Sequence, residues 1–192
     1  MGGVCGAVVL SQPPANTAAI MGDSKSISSN AWPGMLTSQP PGSINDNAAV
    51  SGATVASALA DITARLAILT HSPTAVLMNW GVNDITSGLP VEATWEANYL
   101  SIIDQVHAKW PLAQIYLTRP WKAGFDASAA TLHTWIDVIV AARAAFVHVG
   151  DDEAIWLKGS DNGASETLDG IHYAPYSEQL KSNQMAVVLG WP

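Results

Sequence analysis

Two polar blocks that lie far apart in the sequence carry the side chains of a possible nucleophile and its base. The short apolar run 18–21 ends in Gly22-Asp23-Ser24, and Asp169-Gly170-Ile171-His172 lies near the carboxyl terminus. A serine hydroxyl is a poor nucleophile at neutral pH and needs a base to take its proton as it attacks. His172 can be that base, since an ordinary imidazole titrates near pH ~6.5. Asp169 can accept the other ring N–H and hold the imidazole in the required tautomer.

The elements that must position these blocks follow from the pattern of apolar residues. Runs typical of buried strands lie at 18–21, 74–80, 114–118 and 145–149, and 48–50 could be a short second strand. Apolar residues at helical spacing occupy 55–69, with Thr54 as N-cap, and 95–110, 132–140 and 176–189. Single helices between strands predict a flavodoxin-like, three-layer α/β/α sandwich around a mainly parallel sheet of about five strands.

Ligands of a parallel sheet bind beyond the carboxyl ends of its strands, and four polar blocks of this chain are predicted to lie there. In chain order these are Gly-Asp-Ser at 22–24, Ser51-Gly52, Gly-x-Asn-Asp at 81–84 and Asp-x-x-His at 169–172. Their order and spacing resemble the SGNH hydrolase superfamily, the GDSL-type esterases and lipases. The resemblance covers about residues 17–190. Each block alone is weak evidence, whereas the four together are specific.

The resemblance implies a role for each matched residue. Ser24 would be the nucleophile, His172 would carry the proton, and Asp169 would orient His172. The backbone N–H groups of Ser24 and Gly52, with the side-chain amide of Asn83, would form the oxyanion hole. The implied reaction is hydrolysis of carboxylic esters through an acyl-enzyme, with no metal and no organic cofactor.

Lys25 departs from the family pattern, because the residue after the catalytic serine is usually apolar. We expect its ammonium group to point to solvent; the alternative is that it favours an anionic substrate group beside the cleft. Asp23 and Asp84 are expected to hold loops through hydrogen bonds and not to react. The acidic residues 151–153 do not match a calcium-binding loop, so a solvated acidic loop is expected there.

Three tryptophans come close to predicted strand ends and could reach the active edge of the sheet: Trp32, Trp80 and Trp121. They could form a stacking platform for sugar rings or for aryl and short acyl groups, with packing equally open for each. With the shallow site that the resemblance implies, they favour a carbohydrate or short-chain acetyl esterase. The enzyme alternative is a lysophospholipase or thioesterase. The alternative from a different class is a non-catalytic carbohydrate-binding module on the same fold.

Composition limits the partners of the chain. Its 16 acidic and 8 basic side chains give a net charge of -8, which argues against nucleic acid, since phosphate neutralisation drives that binding. A single cysteine, Cys5, excludes an internal disulfide and a cysteine-based zinc site. No apolar run approaches the ~20 residues of a spanning helix, so no membrane partner is predicted. The expected partner is a small-molecule or carbohydrate ester substrate.

The length of 192 residues suits one domain. We expect an N-terminal tail or edge segment at 1–16 and a single SGNH-hydrolase-like domain at 17–192. The apolar start of the chain lacks the basic residues of a signal peptide, so a soluble protein is expected. The sequence leaves the compartment and the oligomeric state open.

Overall fold

The sheet at the centre of the protein consists of parallel strands. The structure is a computed structural model, and it describes residues 16–27, 32–36, 44–159, 161 and 163–191. Its strands are β1 (Thr17–Gly22), β2 (Ile44–Asn47), β3 (Ala75–Asn79), β4 (Gln114–Arg119) and β5 (Val147–Asp152). Within the described residues their order is β2-β1-β3-β4-β5, and every neighbouring pair is parallel. This is the flavodoxin-like order, and it confirms the predicted fold class.

Helices connect these strands and cover both faces of the sheet. A 3-10 turn, Ser24–Ser26, follows β1. The described helices are α1 (Trp32–Leu36), α2 (Val55–Ala60), α3 (Ile62–Ile68), α4 (Val82–Thr86), α5 (Glu92–Lys109), α6 (Asp126–Ala142), α7 (Glu153–Leu157) and α8 (Pro175–Val188). Helix α1 packs against α8, whereas α5 packs against α2 and α6. Because parallel crossovers are right-handed, the connection from β1 to β2 lies on the opposite face from those that run from β2 to β5. The two helix groups therefore form the outer layers.

The second strand differs from the prediction. It occupies Ile44–Asn47 and not 48–50, and it pairs with β1 at the edge of the sheet. Most of its residues are polar, so a search for apolar runs misses it. The Asp46 carboxylate accepts the backbone N–H groups of Thr70 and His71 over 2.6 and 2.8 Å. These bonds tie the edge strand to the segment that leads into β3.

Three other boundaries also differ from the prediction. The apolar stripe over 55–69 forms two helices that meet at Asp61, although the N-cap at Thr54 is confirmed by a capping box. Strand β5 begins later than predicted, because the Phe146 N–H donates to Arg143 O over 3.0 Å in a turn that follows α6. The segment after β5, predicted as a loop, begins with the short helix α7.

The core lies on both sides of the sheet. Strand β3 is buried at every position, as its continuous apolar run predicts. Of the described helices, none is both long and apolar enough to cross a bilayer. Residues 1–15 lie outside the described residues, so the predicted tail at 1–16 and the domain boundary stay predictions.

Candidate active site

Three side chains from distant parts of the chain form a continuous hydrogen-bonded series. The Ser24 hydroxyl oxygen lies 2.9 Å from His172 Nε2. On the other side of the ring, His172 Nδ1 lies 2.8 Å from Asp169 Oδ2. Ser24 begins the 3-10 turn after β1, which lies between β2 and β3, where the strand order reverses. Open α/β sheets bind their ligands at such a point.

The environment of Asp169 decides which ring nitrogen of His172 carries a proton. The backbone N–H of His172 donates to Asp169 Oδ1 over 2.8 Å, and this bond lowers the pKa of the carboxyl to about 2, although partial burial acts in the opposite direction. Asp169 is therefore an ionised acceptor at neutral pH. The neutral ring must place its hydrogen on Nδ1, which leaves Nε2 free to accept the Ser24 proton.

The turn that presents Ser24 is fixed by backbone contacts and by Asp23. The Asp23 N–H donates to Asn79 O at the end of β3 over 3.2 Å. Its side-chain Oδ1 accepts the Lys25 N–H over 3.0 Å and so caps the 3-10 turn. A Cβ at Gly22 would lie 2.9 Å from Asn79 O, so the two strand ends approach too closely for any larger residue. Asp23 thus has the structural contacts expected of it.

The loop after β2 carries Gly52, the second predicted oxyanion donor. The Val50 N–H donates to Gly22 O over 3.0 Å, so this loop continues alongside the end of β1. Gly52 has a φ of 71°, a left-handed conformation that favours glycine. The hydrogen bonds found within the described residues leave the backbone N–H groups of Gly52 and Ser24 without an acceptor. Within the part of the chain that the structure describes, both donors are therefore open to a ligand.

Asn83 lies in the first turn of α4, directly after β3. Its Nδ2 donates to Ala53 O over 3.1 Å and so contacts the residue next to Gly52. One Nδ2 hydrogen remains for a further acceptor. The N-cap of helix α4 is Gly81, whose φ is 121° and where a Cβ would lie 2.9 Å from Leu132 Cδ2. The position of Asn83 thus depends on a glycine that no other residue can replace without strain.

Asp84 holds the same loop from its other end. Its Oδ2 accepts the Val55 N–H over 3.3 Å at the start of α2. The carboxyl is buried, and burial raises its pKa to about 6. Asn83 and Asp84 together bind the segment 53–55 to α4. The two connections that carry the predicted oxyanion donors are therefore joined by direct hydrogen bonds.

The prediction of a stacking platform made of three tryptophans is wrong. Trp32 and Trp121 are each 1% exposed and Trp80 is 0% exposed, so none offers a ring face to a substrate. Trp80 packs edge-on against Tyr99, with ring centroids 5.9 Å apart. The Trp32 Nε1–H donates to Lys25 O over 3.0 Å, directly behind the nucleophile turn. Large aromatic rings dominate core burial, and here they pack beneath the site.

The expected solvent-facing position of Lys25 is also wrong. Its ammonium group is fully buried, with Nζ 2.5 Å from Glu153 Oε2. The same group donates to Trp121 O over 3.0 Å. Its burial also rules out contact with an anionic substrate group in this structure. A buried ammonium group is stable only when it is paired, and Glu153 supplies that pairing.

The acidic segment 151–153 is not a solvated loop. Asp151 and Glu153 are buried, and Lys181 of α8 bonds to both, with Nζ 2.7 Å from each Asp151 carboxylate oxygen and 3.3 Å from Glu153 Oε1. Sequence reasoning missed this cluster, because no short-range pattern links Lys181 to residues 151–153. Within the described ranges, no group of three or more His, Cys, Asp or Glu side chains is arranged to hold a metal ion.

Arg65 is a further positioning residue that the sequence did not indicate. It lies between apolar residues of α3 and is 2% exposed. Its Nη1 donates to Ala48 O over 3.1 Å and to Gly22 O over 3.5 Å. Burial lowers the pKa of the guanidinium. Arg65 therefore supports both the end of β1 and the loop that leads to Gly52.

Sequence comparison agrees with this arrangement. The GDSL-like Lipase/Acylhydrolase family matches residues 17–176, which is most of the chain. The chain belongs to this family. It is therefore a hydrolase of the SGNH type, and the resemblance in the sequence is confirmed. A comparison of the chain with curated proteins finds no match.

Several solved structures share the fold of this GDSL-family protein. TesA matches with a TM-score of 0.72 at 21% identity, over 91% of this chain and 98% of TesA. The psychrotrophic esterase EstA from Pseudoalteromonas sp., in a structure inhibited by monoethylphosphonate, matches with a TM-score of 0.72 at 20% identity. The match covers 91% of this chain and 97% of EstA. A third match is a carbohydrate esterase family 2 enzyme from Corynascus thermopiles (Myceliophthora fergusii), which also has a carbohydrate binding domain. Its TM-score is 0.70 at 16% identity, and the match covers 95% of this chain and 69% of that enzyme. These identities establish likeness of fold alone.

Proposed function

We propose that this chain hydrolyses carboxylic esters through an acyl-enzyme formed on Ser24. The observation that carries the proposal is the series from Ser24 through His172 to Asp169, with separations of 2.9 and 2.8 Å. A hydroxyl, an imidazole and an ionised carboxylate in this order are the parts that activate a serine nucleophile. Membership of a family of lipases and acylhydrolases supports the same class of reaction.

In the first half of the reaction, Ser24 Oγ attacks the ester carbonyl carbon while His172 Nε2 takes the hydroxyl proton. Asp169 stabilises the imidazolium that results. The tetrahedral oxyanion accepts hydrogen bonds from the N–H groups of Ser24 and Gly52 and from Asn83 Nδ2. The imidazolium then gives its proton to the leaving oxygen, and the alcohol departs.

In the second half, water attacks the acyl carbon while His172 Nε2 takes a proton from that water. The bond between the acyl carbon and Ser24 Oγ breaks, and the imidazolium returns the proton to Oγ. The carboxylic acid leaves, and the enzyme is restored. Each proton that is taken is given back, so the cycle needs no further proton donor or acceptor.

The substrates that this site favours are esters with short acyl groups, including acetyl groups on a carbohydrate. The side chains of His172 and Asp169 are 42% and 52% exposed, so the reacting atoms lie close to solvent. A short acyl group needs little apolar surface, and a hydroxylated leaving group can stay partly hydrated beside such a site. The carbohydrate esterase family 2 enzyme with the same fold supports this choice.

A lysophospholipase or thioesterase activity is the second candidate, and exposed aliphatic side chains favour it. Ile27, Val50 and Leu168 are 44%, 43% and 71% exposed, and they lie within three residues of Ser24, Gly52 or Asp169 in the sequence. Aliphatic groups beside a nucleophile can bind a longer acyl chain, at ~0.8 kcal/mol for each methylene that is buried.

The decisive test uses p-nitrophenyl esters from acetate to laurate. We expect turnover by the wild-type protein with kcat/KM highest for acetate, and a fall of at least about 10⁴-fold for Ser24→Ala. Ser87→Ala, which changes an exposed serine at the end of α4, is the matched control and should keep full activity. Labelling by an aryl phosphonate followed by peptide mass spectrometry should find the adduct on Ser24.

The outcomes separate the candidates from one another. Equal turnover by the wild type and Ser24→Ala, or no turnover of any ester, would exclude the serine esterase and leave the binding module. A kcat/KM that rises towards laurate would favour the second candidate. Good activity on aryl acetates with no acetate released from acetylated xylan or acetylated sugars would exclude the carbohydrate ester.

A further inference from the structure

A single buried carboxylate links the two segments that carry Ser24 and His172. Glu153 Oε2 lies 2.5 Å from Lys25 Nζ, and Lys25 directly follows Ser24. Glu153 Oε1 accepts a hydrogen bond from the hydroxyl of Tyr173, which directly follows His172. The two catalytic candidates are thus each one residue away from a side chain held by the same carboxylate. Oε2 binds the segment of Ser24, and Oε1 binds the segment of His172.

The same carboxylate is anchored to the sheet and to α8. The Trp121 N–H, just after β4, donates to Glu153 Oε2 over 3.0 Å. Lys181 Nζ lies 3.3 Å from Glu153 Oε1 and 2.7 Å from both oxygens of Asp151. Glu153 therefore has a fixed position relative to β4, β5 and α8, from which it can hold the segments that carry Ser24 and His172.

The charges of this cluster balance, and its acceptors are occupied. Two ammonium groups, Lys25 and Lys181, face two carboxylates, Asp151 and Glu153, and all four side chains are 0–2% exposed. Burial by itself raises the pKa of Glu153, but the two ammonium groups outweigh it and lower the pKa to about 2. Glu153 is therefore ionised at any pH at which the protein is assayed. The negative charge of Glu153 also helps to raise the pKa of the buried Asp23, although burial is the larger cause.

A second contact joins the same two segments. Asn79 Nδ2, at the end of β3, lies 3.4 Å from the Tyr173 hydroxyl and 3.2 Å from Ser26 Oγ. Ser26 belongs to the 3-10 turn of Ser24. The Tyr173 hydroxyl thus donates to Glu153 and accepts from Asn79. This leaves it little freedom to move away from the nucleophile turn.

We propose that Glu153 is a positioning residue, which holds Lys25 with one oxygen and Tyr173 with the other and thereby sets the distance between Ser24 Oγ and His172 Nε2. This proposal rests on the proposed function, because the distance that Glu153 sets matters only if Ser24 and His172 react together. Glu153 does not touch the reacting atoms. Its effect on catalysis passes through the two neighbouring side chains.

Tyr173→Phe is the cleanest test, because it removes the hydrogen bonds of the Tyr173 hydroxyl to Glu153 Oε1 and Asn79 Nδ2 and changes no charge. A misplacement of a reacting group by about 1 Å costs ~10²-fold, so we expect kcat to fall by about 10- to 100-fold with KM within about twofold. Glu153→Gln should lower kcat at least as much. Because Glu153→Gln leaves an uncompensated buried charge and can fail to fold, Tyr173→Phe carries the test alone if necessary.

Thr118→Val is the matched control. Thr118 belongs to the same buried cluster, but it contacts Asp151 and Lys181 and neither catalytic segment. The Thr118→Val variant should lower the midpoint of urea unfolding about as much as Tyr173→Phe does, and it should leave kcat unchanged. If Tyr173→Phe keeps full kcat, or if Thr118→Val loses as much kcat as Tyr173→Phe, the role of the cluster is structural only and the inference is overturned.

Two readouts keep this test independent of ester turnover. The rate at which an aryl phosphonate labels Ser24 reports the alignment of hydroxyl and base, and it should be lower for Tyr173→Phe. A crystal structure of Tyr173→Phe should show Ser24 Oγ and His172 Nε2 further apart than the 2.9 Å of the wild type. If no ester is hydrolysed but both effects are seen, the ester proposal fails and the positioning role stands. An unchanged separation and labelling rate overturn the positioning role.

Discussion

Asp23 is a carboxyl group that lies fully buried next to the candidate nucleophile. Its side chain is 0% exposed, and burial raises its pKa to about 7, even though the Lys25 ammonium group acts in the opposite direction. One oxygen caps the 3-10 turn through the Lys25 N–H, and the other has no hydrogen-bond partner among the described residues. Such a group stays protonated in the folded protein well above the pH at which it ionises in the unfolded chain.

This shift predicts a loss of stability as the pH rises. Between about pH 4 and pH 7 the unfolded chain releases the Asp23 proton and the folded protein keeps it, so the free energy of unfolding should fall by up to about 4 kcal/mol. The effect is absent below about pH 4, where both states are protonated. Asp23→Asn stays neutral in both states and should remove this dependence. Urea unfolding at intervals from pH 4 to pH 8 measures it.

The difference in the free energy of unfolding between the wild type and Asp23→Asn isolates the effect of Asp23 from that of other titrating groups. Burial also raises the pKa of Asp84, to about 6, and that of Glu178, but both groups are present in the wild type and in Asp23→Asn. Their contributions cancel when one stability curve is subtracted from the other. Parallel curves across this pH range would show that Asp23 does not titrate as its burial requires.

Helix α4 is the element that connects the two predicted sources of oxyanion donors. It is only five residues long, begins at Val82 directly after its N-cap Gly81, and presents Asn83 and Asp84 to the loop between β2 and α2. Asn83 reaches the loop at Ala53 O, and Asp84 reaches it at the Val55 N–H. The short helix thus sets the direction of the Asn83 amide.

Asn83→Ala should therefore lower kcat by ~10²–10³-fold, the usual effect of removing one oxyanion donor, with a smaller change in KM. The loss also includes the hydrogen bond that holds Ala53 O. Steady-state kinetics on p-nitrophenyl acetate gives both constants.

Thr86→Ala is the control for this prediction, because Thr86 lies on the same helix and, among the described residues, its hydroxyl donates only to Val82 O, over 2.7 Å. It should change kcat less than about threefold, since it leaves the donors untouched. Equal losses for the two variants would mean that the helix as a whole matters and the Asn83 amide does not.

The net charge of -8 belongs to the molecule as a whole and should affect which substrates arrive fastest. Lys25 and Lys181 are buried within ion pairs, so they cannot attract an anionic substrate to the site. The half-exposed Asp169 carboxylate adds a negative charge beside the imidazole. A cationic ester should therefore approach more readily than an anionic one.

Two aryl acetates test this prediction, one with a trimethylammonium group and one with a carboxylate on the ring. After correction for their rates of hydroxide hydrolysis, kcat/KM should be about tenfold higher for the cationic ester at low salt. The ratio should shrink towards one as the ionic strength rises to about 1 M, where the Debye length is ~3 Å. A ratio that does not respond to salt would point to a local contact and not to the overall field.

The fold was predictable because the relevant patterns are local. The buried runs of β1, β3 and β4 stand out in the sequence, and the single helices between strands require a parallel sheet. The exception is β2, whose polar residues at the sheet edge lack the apolar pattern of a central strand. Pairing with β1 decides its conformation, and pairing is a tertiary property.

The candidate site was predictable for a related reason. Each of its residues directly follows a strand or lies in a short motif, and the carboxyl ends of parallel strands meet at one edge of the sheet. Ser24 and Asn83 could therefore be placed near each other from the strands that they follow, and the resemblance to a known family placed the Asp169–His172 pair beside them. Their catalytic roles stay predictions until the variants are measured.

What the sequence by itself determined was the sheet, the family and the set of residues that meet at its edge. Only the tertiary structure decided that Lys25 pairs with Glu153, 128 residues away, and that Trp32, Trp80 and Trp121 are covered. The physical reason is that burial depends on what packs over a side chain, and here those segments are distant in the chain. A lysine after the nucleophile looks exposed in the sequence. In the folded protein it is part of the support beneath the site.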